Sequence, residues 1–149
     1  MIATHSREGR VDWIGLRPER LGEVRPVTSC EVTEEGLTGD HSRPGKRAVT
    51  LIQAEHLPVI AALANLPGVA PETLRRNILV SGLNLLALRK ARLRLGTVLL
   101  EITGPCAPCS RMEKALGPGG FNAVRGHGGW CARVLEPGRV AIGDRADPA

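Results

Sequence analysis

The 149-residue chain has 42% hydrophobic residues but only three aromatic ones, and its 20 Lys and Arg against 15 Asp and Glu give a net charge of +5. This length suits one domain, residues 1–149, and a charged fraction of 23% excludes disordered, collagen-like and disulfide-dense classes. Proteins that read single strands stack bases on aromatic rings, so nucleic acid is not expected as a partner despite the basic charge.

The sequence shows neither a secretion signal nor a membrane-spanning segment. The first residues lack an apolar stretch after a basic one, and no apolar run approaches the roughly 18 residues that a membrane span needs. We therefore expect a cytoplasmic protein with no membrane partner. In that compartment the four cysteines are expected to be thiols, metal ligands or catalytic groups rather than disulfides.

Frequent glycines and prolines, 18 and 11 residues, divide the chain into short elements. The pattern predicts strands over residues 11–16, 24–32, 48–53, 77–80, 93–95, 97–103, 130–135 and 139–142. It predicts helices over residues 54–65, 71–76, 110–116 and 121–125, a loop over 36–45, and a frayed end over 143–149.

The predicted strands are not separated by regular helices, which disfavours a doubly wound parallel sheet. We expect a mainly β fold, a mostly antiparallel closed or half-closed barrel with a few short helices at its rim.

Cys106-Ala-Pro-Cys109 is the sharpest local motif. A structural zinc site would need two further ligands at comparable spacing, which the sequence lacks, so no zinc is expected. A redox dithiol and a purely structural turn stay open, although the strand–helix–strand setting of thioredoxin-like dithiols is missing. The other two cysteines, Cys30 and Cys131, fall in predicted strands and are interpreted as small core residues.

Within this motif, Cys109 has the more reactive setting. It follows Pro108 where the loop turns into a helix, and Arg111 lies two residues further on. A helix N-terminus and a nearby guanidinium both favour the thiolate form. The candidate roles of Cys109 are therefore nucleophile, persulfide carrier or soft metal ligand.

Arg75, Arg76 and Asn77 lie where a short helix runs into a strand. Adjacent guanidiniums suit a phosphate or carboxylate, and a solvated helix end is the alternative interpretation.

Two loops carry weaker signals. Asp40 and His41 lie in the glycine-rich loop, where Asp40 can orient a histidine or receive an arginine, although Gly-Asp is also ordinary turn chemistry. Arg125 precedes Gly-His-Gly-Gly, a stretch whose backbone could approach a ligand closely while Arg125 contacts an anion.

Taken in order, these segments resemble the MOSC domain family, named for the C-terminal domain of molybdenum cofactor sulfurases. The resemblance runs from about residue 6 to residue 144. It rests on these segments: Gly36-Leu-Thr-Gly-Asp-His, Gln53-Ala-Glu-His, Glu72-Thr-Leu-Arg-Arg-Asn-Ile78, Gly82-Leu-Asn-Leu, Gly96, Thr103-Gly-Pro-Cys-Ala-Pro-Cys109, Gly129-Trp, Pro137-Gly and Ile142-Gly-Asp144.

The resemblance implies a barrel of the pyruvate-kinase-barrel type and a site at its mouth. The family's cysteine after a proline corresponds to Cys109, and its Arg-x-Asn pattern to Arg75 and Asn77 with Arg76 between them. The resemblance implies that these arginines and Asn77 help to hold an anionic cofactor. The resemblance also implies that the loop of Asp40 and His41 lines this mouth. Cys106 has no counterpart in the general family pattern, and a resolving thiol and a bystander are its two open interpretations.

Two activities follow from the resemblance. In one, Cys109 takes sulfur as a persulfide from a pyridoxal-phosphate-dependent cysteine desulfurase and passes it to a metal–sulfur centre. In the other, Cys109 binds the molybdenum of a molybdopterin whose phosphate meets Arg75, Arg76 and Arg125. The protein would then reduce N-hydroxylated compounds with electrons from a partner.

The resemblance does not extend to the N-terminal barrel of amidoxime-reducing relatives or to the pyridoxal-phosphate domain of full sulfurases. With three lysines and no phosphate-cradling loop, the chain is not expected to bind pyridoxal phosphate. A non-catalytic basic barrel that binds an anionic ligand or partner is the alternative.

Overall fold

Short strands and helices follow one another along residues 3–149, which the computed structural model describes. Met1 and Ile2, part of the predicted domain and of the segment inspected for a targeting signal, lie outside the described residues. The strands are β1 Gly9–Leu16, β2 Arg25–Val27, β3 Ser29–Thr33, β4 Gly36–Leu37, β5 Val49–Gln53, β6 Ile78–Ser81, β7 Arg92–Leu95, β8 Val98–Pro105, β9 Trp130–Glu136, β10 Gly138–Ala141 and β11 Arg145–Pro148. The helices are α1 His56–Leu63, α2 Pro71–Leu74, α3 Ser110–Leu116 and α4 Gly120–Val124, with a 3₁₀ helix at Leu85–Leu88.

Seven strands close into a barrel in the order β11-β7-β8-β9-β5-β6-β1, because β11 also pairs with β1. β2 extends the sheet from β1, and β10, β3 and β4 form a second small sheet. The pairing of β5 with β6 is parallel, with α1 and α2 in the connection between them, and the other described pairings are antiparallel. The predicted mainly β barrel with a few short helices is confirmed.

The core is aliphatic, as the scarcity of aromatic residues requires. Side chains such as Ile14, Leu51 and Leu100 fill the barrel and are fully buried. A second cluster, which includes Ile52 and Leu116, packs the helices against the outside of the barrel. Because the interior and the helices cover opposite faces of β5, all five of its residues are buried.

Most predicted elements lie within a few residues of the observed ones, but some differ. The predicted strand 24–32 is split into β2 and β3, because the chain leaves the edge beside β1 to pair with β10. The predicted loop 36–45 begins with β4, which pairs with β3. The stretch 143–149 was expected to fray, and that prediction is wrong: residues Arg145–Pro148 form the strand that closes the barrel. The 3₁₀ helix at Leu85–Leu88 was not predicted.

The helix predicted over 71–76 ends early. Arg75 adopts the left-handed conformation, with φ +56°, and so terminates α2 after Leu74. The turn sends Arg75 and Arg76 to different environments. Among residues 3–149, none of the helices combines the length and the apolar character that crossing a membrane requires.

Candidate functional site

A cleft of about 220 Å³ opens beside α2 and the start of α3. Four residues predicted for the site line it: His41, Arg75, Arg76 and Cys109. Arg17, Arg20 and Arg111 line it as well. Residues that lie up to about 90 positions apart in the sequence are thus brought together around one thiol.

Cys109 is the residue immediately before α3. Its backbone is extended, with φ −128° and ψ 171°, and its carbonyl accepts the first helical hydrogen bond from Met112 N at 2.9 Å. Of the four free cysteines, Cys109 is the exposed one. The predicted turn from loop into helix at this cysteine is confirmed, and its sulfur is open to reagents and partners.

Asp40 holds Arg17 in place at the wall of the cleft. The carboxylate side chain is fully buried and accepts hydrogen bonds from Arg17 N at 2.6 Å, Nε at 3.1 Å and Nη2 at 2.9 Å. Burial alone would raise the pKa of Asp40, but the hydrogen bonds and charge of Arg17 outweigh it and lower that pKa. Asp40 is therefore a fixed anion that positions a guanidinium.

Asn77 ties this pair to the barrel. Its side chain is fully buried; Nδ2 donates to Asp40 Oδ1 and Gly15 O, both at 3.1 Å, and Oδ1 accepts from Thr50 N at 3.0 Å. The amide thus joins β1, β5 and the loop of Asp40. Asp40 and Asn77, both predicted to bind cofactor, lie behind the cleft rather than along it.

His41 is the exposed neighbour of this pair. Its Nδ1 lies 2.6 Å from the carbonyl oxygen of Arg17, so this ring nitrogen donates and leaves Nε2 to solvent. Its backbone N–H donates to the same oxygen at 2.9 Å. The ring therefore lies at the rim of the cleft.

Arg75 is used to hold a loop as well as to line the cleft. Its guanidinium donates to the carbonyls of Gly22, Arg20 and Glu19 in the β1–β2 connection, the last two at 3.1 and 3.2 Å. Burial, then the charges of Arg111 and Arg17, lower the pKa of Arg75. The positive charges of Arg75, Arg111 and Arg17 therefore repel one another here. An anion bound between them would relieve this repulsion.

Arg76 turns inward and is 9% exposed. Its Nε donates to Gly128 O at 2.6 Å, whereas Nη2 has no hydrogen-bond partner within residues 3–149. A buried charged donor without a partner is costly unless an anionic group meets it.

The cations of the cleft continue into a second hollow of about 430 Å³, lined by Leu21, Lys114 and Ala115 and sharing Arg75 and Arg111 with the first. Within the part of the chain that the structure describes, no carboxylate lines either hollow. The thiol of Cys109 therefore lies in a cleft whose lining charges are cations, with the carboxylate of Asp40 behind the wall offsetting only Arg17, and this excess of positive charge attracts anions.

Arg125 ends α4, is exposed, and lies outside the cleft. The glycines after it serve packing: a side chain at Gly129 would meet Leu51 O at 2.1 Å, and one at Gly128 would meet Val124 Cγ1 at 2.7 Å. The glycine loop thus lets β9 lie close to β5 and lets Arg76 reach a backbone carbonyl.

The two cysteines of the CxxC motif face different surroundings. Cys106 faces away from the cleft, with Sγ 3.2 Å from Sγ of Cys131, and Cys109 faces the cleft. The earlier interpretation of Cys131 as a small core residue is correct as to burial but missed this contact. Among residues 3–149, no three His, Cys, Asp or Glu side chains are grouped so that they could hold a metal ion.

Sequence reasoning missed Arg17 and Arg20. They follow β1 by one and four residues, and only the antiparallel barrel brings them to residues 75 and 109. The available signal was the presence of two basic residues, Arg17 and Arg20, within four positions after the strand that ends at Leu16.

The residues present suit an anionic group that contains a soft metal. A thiolate is the ligand type that soft metals prefer, and the unpartnered Nη2 of buried Arg76 beside the cleft supplies a donor for an anion. Cys109 and Arg20 supply exposed contacts, and half-buried Arg111 supplies a further one.

Comparison with known proteins gives one family. The sequence matches the model of the MOSC domain over residues 33–147. No curated protein matches the chain.

Solved structures share the fold. The YuaD protein from Bacillus subtilis is similar with a TM-score of 0.81 and 19% identity, over 96% of this chain and 97% of that chain. YiiM from Geobacillus stearothermophilus is similar with a TM-score of 0.79 and 18% identity, over 95% and 75% of the two chains. YiiM from Escherichia coli gives 0.73 and 22%, over 94% and 69%.

Proposed function

The chain belongs to the MOSC domain family, and we propose that it binds an anionic molybdenum cofactor of the molybdopterin type in the arginine-lined cleft, with Cys109 as the thiolate ligand of the metal. The observation that carries this proposal is the exposed Cys109 thiol in a cleft lined by guanidiniums and by no carboxylate of residues 3–149. A neutral substrate would not need such a field, whereas a cofactor that carries phosphate does.

Each part of the cleft has a task in this proposal. Arg20 and Arg111 contact the phosphate, and Arg75 and Arg17 are held ready by the loop carbonyls and by Asp40. When bound, the cofactor supplies two-electron reduction of N-hydroxylated compounds, with electrons from a partner protein. The chain's own residues fix the thiolate, neutralise the anion and leave the open side of the cleft to substrate.

A second candidate, persulfide carrier, is favoured by the exposure of Cys109 at the surface. A cysteine desulfurase would present a persulfide, and the Cys109 thiolate would attack its outer sulfur. The bond between the two donor sulfurs breaks, the donor cysteine leaves as thiolate, and Cys109 keeps the outer sulfur. No net oxidation occurs in this step.

Elemental, pterin and sulfane-sulfur analysis of the gently purified full chain distinguishes the two. Near-stoichiometric molybdenum together with pterin is the expected result. Metal-free protein that carries one cyanide-labile sulfur on Cys109 would favour the carrier instead.

Protein with neither molybdenum nor labile sulfur would favour the non-catalytic alternative, a basic barrel that binds an anionic partner. Under that alternative Cys109→Ser would leave the biological effect intact.

A further inference from the structure

Cys106 and Cys131 face each other next to the proposed site but outside its cleft. Their Sγ atoms are 3.2 Å apart, a hydrogen-bonded contact that is about 1 Å longer than a disulfide bond. Cys131 is 8% exposed, and Cys106 is partly exposed.

A β-bulge produces this contact. The register of β8 against β9 shifts between Ile102 and Gly104, so that Gly104 lies opposite Cys131 and the N–H of Cys106 donates to Gly129 O at 2.8 Å. Because side chains alternate along a strand, Cys106 and Cys131 become diagonal neighbours on one face. Without the extra residue they would point to opposite faces.

A cation lies beside the two sulfurs. The positive charge of Arg76 favours the thiolate form of each cysteine, together with Arg47 at Cys131; at Cys106 the hydrogen bond with Cys131 and burial outweigh it and raise the pKa. The buried Nη2 of Arg76 has no hydrogen-bond partner among residues 3–149. The hydrogen bond between the two sulfurs lowers the pKa of Cys131 and raises that of Cys106, so Cys131 is the more acidic thiol of the pair.

We propose that Cys106 and Cys131 form a second redox site, a dithiol that a hydroperoxide oxidises to a reversible disulfide without involving Cys109. The Cys131 thiolate attacks one peroxide oxygen, the O–O bond breaks, and a sulfenic acid and hydroxide form. Cys106 then attacks that sulfur, an S–S bond replaces the S–O bond, and water leaves with the thiol proton. Two sulfurs give up two electrons, and one hydrogen peroxide becomes two waters.

The consequence concerns the segment that carries Cys109. Cys106 precedes it by three residues, so the disulfide would fasten this segment to β9 with a covalent bond in addition to the hydrogen bond at Gly129. The cleft would thus keep its shape under oxidising conditions. This inference does not depend on what Cys109 binds.

Peptide mapping of the full chain with Cys109→Ser tests the proposal. After treatment with hydrogen peroxide, two of the three remaining thiols should be lost, and trypsin should release residues 95–111 joined to residues 126–133. Reduction should separate the two peptides. The wild-type chain should give the same link, with Cys109 outside the disulfide.

Three results would overturn the proposal: a Cys106–Cys109 disulfide in the wild-type chain, sulfinic acid on both cysteines without a link, or no loss of thiols. Thermal unfolding gives a second readout that needs no cysteine variant. The peroxide-treated chain should melt at a higher temperature than the reduced chain, and dithiothreitol should reverse the shift.

Discussion

Asp40 is the residue on which the wall of the cleft depends. Its carboxylate is fully enclosed and its partner Arg17 is 14% exposed, so neither charge can be hydrated well if the other is removed. Asn77 completes the arrangement by donating to the same carboxylate. Three residues from different elements therefore act as one unit.

Asp40→Asn should destabilise the fold by about 3 kcal/mol, because Arg17 is left as a poorly compensated charge. Asp147→Asn is the matched control: its partner Arg145 lies at the surface, so the cost should stay below about 0.5 kcal/mol. Urea unfolding of both variants measures the difference.

The ion pair of Asp40 and Arg17 should also make the stability of the wild-type chain depend on pH in the acid range. Burial raises the pKa of Asp40, but the hydrogen bonds and charge of Arg17 together lower it by more. The pKa of Asp40 is therefore lower in the folded chain than in the unfolded chain. The stabilisation is complete above the unfolded pKa of about 3.9 and is lost as the pH falls through the folded pKa. In Asp40→Asn, the free energy of unfolding should therefore fall less steeply with pH below about pH 4 than in the wild-type chain. The same pH dependence in both chains would contradict this role.

Arg111 should make Cys109 prefer anionic reagents. Alkylation by iodoacetate relative to neutral iodoacetamide reports the local field, because both reagents use the same thiolate. Arg111→Gln should lower this rate ratio about two- to fivefold, since a charge a few Å away contributes about 0.5–1 kcal/mol in water.

Arg89→Gln, outside the cleft, controls for net charge and should leave the ratio unchanged. Added salt should shrink the wild-type ratio. Equal ratios in Arg111→Gln and Arg89→Gln would show that Arg111 does not act on an anion near Cys109.

At the scale of elements, the glycine loop before β9 sets how closely that strand lies to β5. Gly129 has φ +102°, and an added Cβ would lie 2.1 Å from Leu51 O. Gly129→Ala should cost at least about 3 kcal/mol, because backbone must move to relieve that contact.

Gly126→Ala provides the comparison. Gly126 also has positive φ, +84°, but nothing lies within 4 Å of an added Cβ, so only backbone strain of about 1 kcal/mol is expected. Chemical denaturation of the two variants should separate the contact from the strain; similar losses would argue against close packing at Gly129.

The sequence predicted elements well where apolar residues or turn residues mark them, and less well elsewhere. The strands at 11–16 and 130–135 and the helix at 110–116 lie close to β1, β9 and α3. β11 was missed because only Ala146 of its four residues is buried, so no alternating pattern shows. Its pairing with two other strands stabilises it, and that information is not local.

At the scale of the whole molecule, closure of the barrel rests on this short C-terminal strand. Ala146 is fully buried and pairs with Gly9 on one side and Leu95 on the other. Ala146→Asp should cost more than about 4 kcal/mol, because it places a carboxylate in that closed position. Asp147→Ala, at the neighbouring half-buried position whose carboxylate pairs with exposed Arg145, should change stability by less than about 0.5 kcal/mol. Equal effects on the urea midpoint would contradict closure by β11.

The site could be predicted in part, for a reason that also belongs to the whole molecule. Cys109 and Arg75 carry chemical signals in their own neighbourhoods, and both line the cleft. The supporting role of Asp40 and Asn77, the presence of Arg17, and the contact of Cys106 with Cys131 depend on barrel topology and on one bulge. Apart from the basic residues that follow β1, none of these has a local pattern from which it could be inferred.

Molybdenum content in two matched cysteine variants tests most directly whether Cys109 is the ligand. Cys109→Ser and Cys30→Ala, the latter a buried cysteine of β3 outside the cleft, would be produced and purified side by side with the wild-type chain. We expect Cys30→Ala to match the wild-type ratio of molybdenum to protein, and Cys109→Ser to fall at least about tenfold, since a metal–thiolate bond is lost. Equal molybdenum in the two variants, or none in the wild-type chain, would contradict the proposed site.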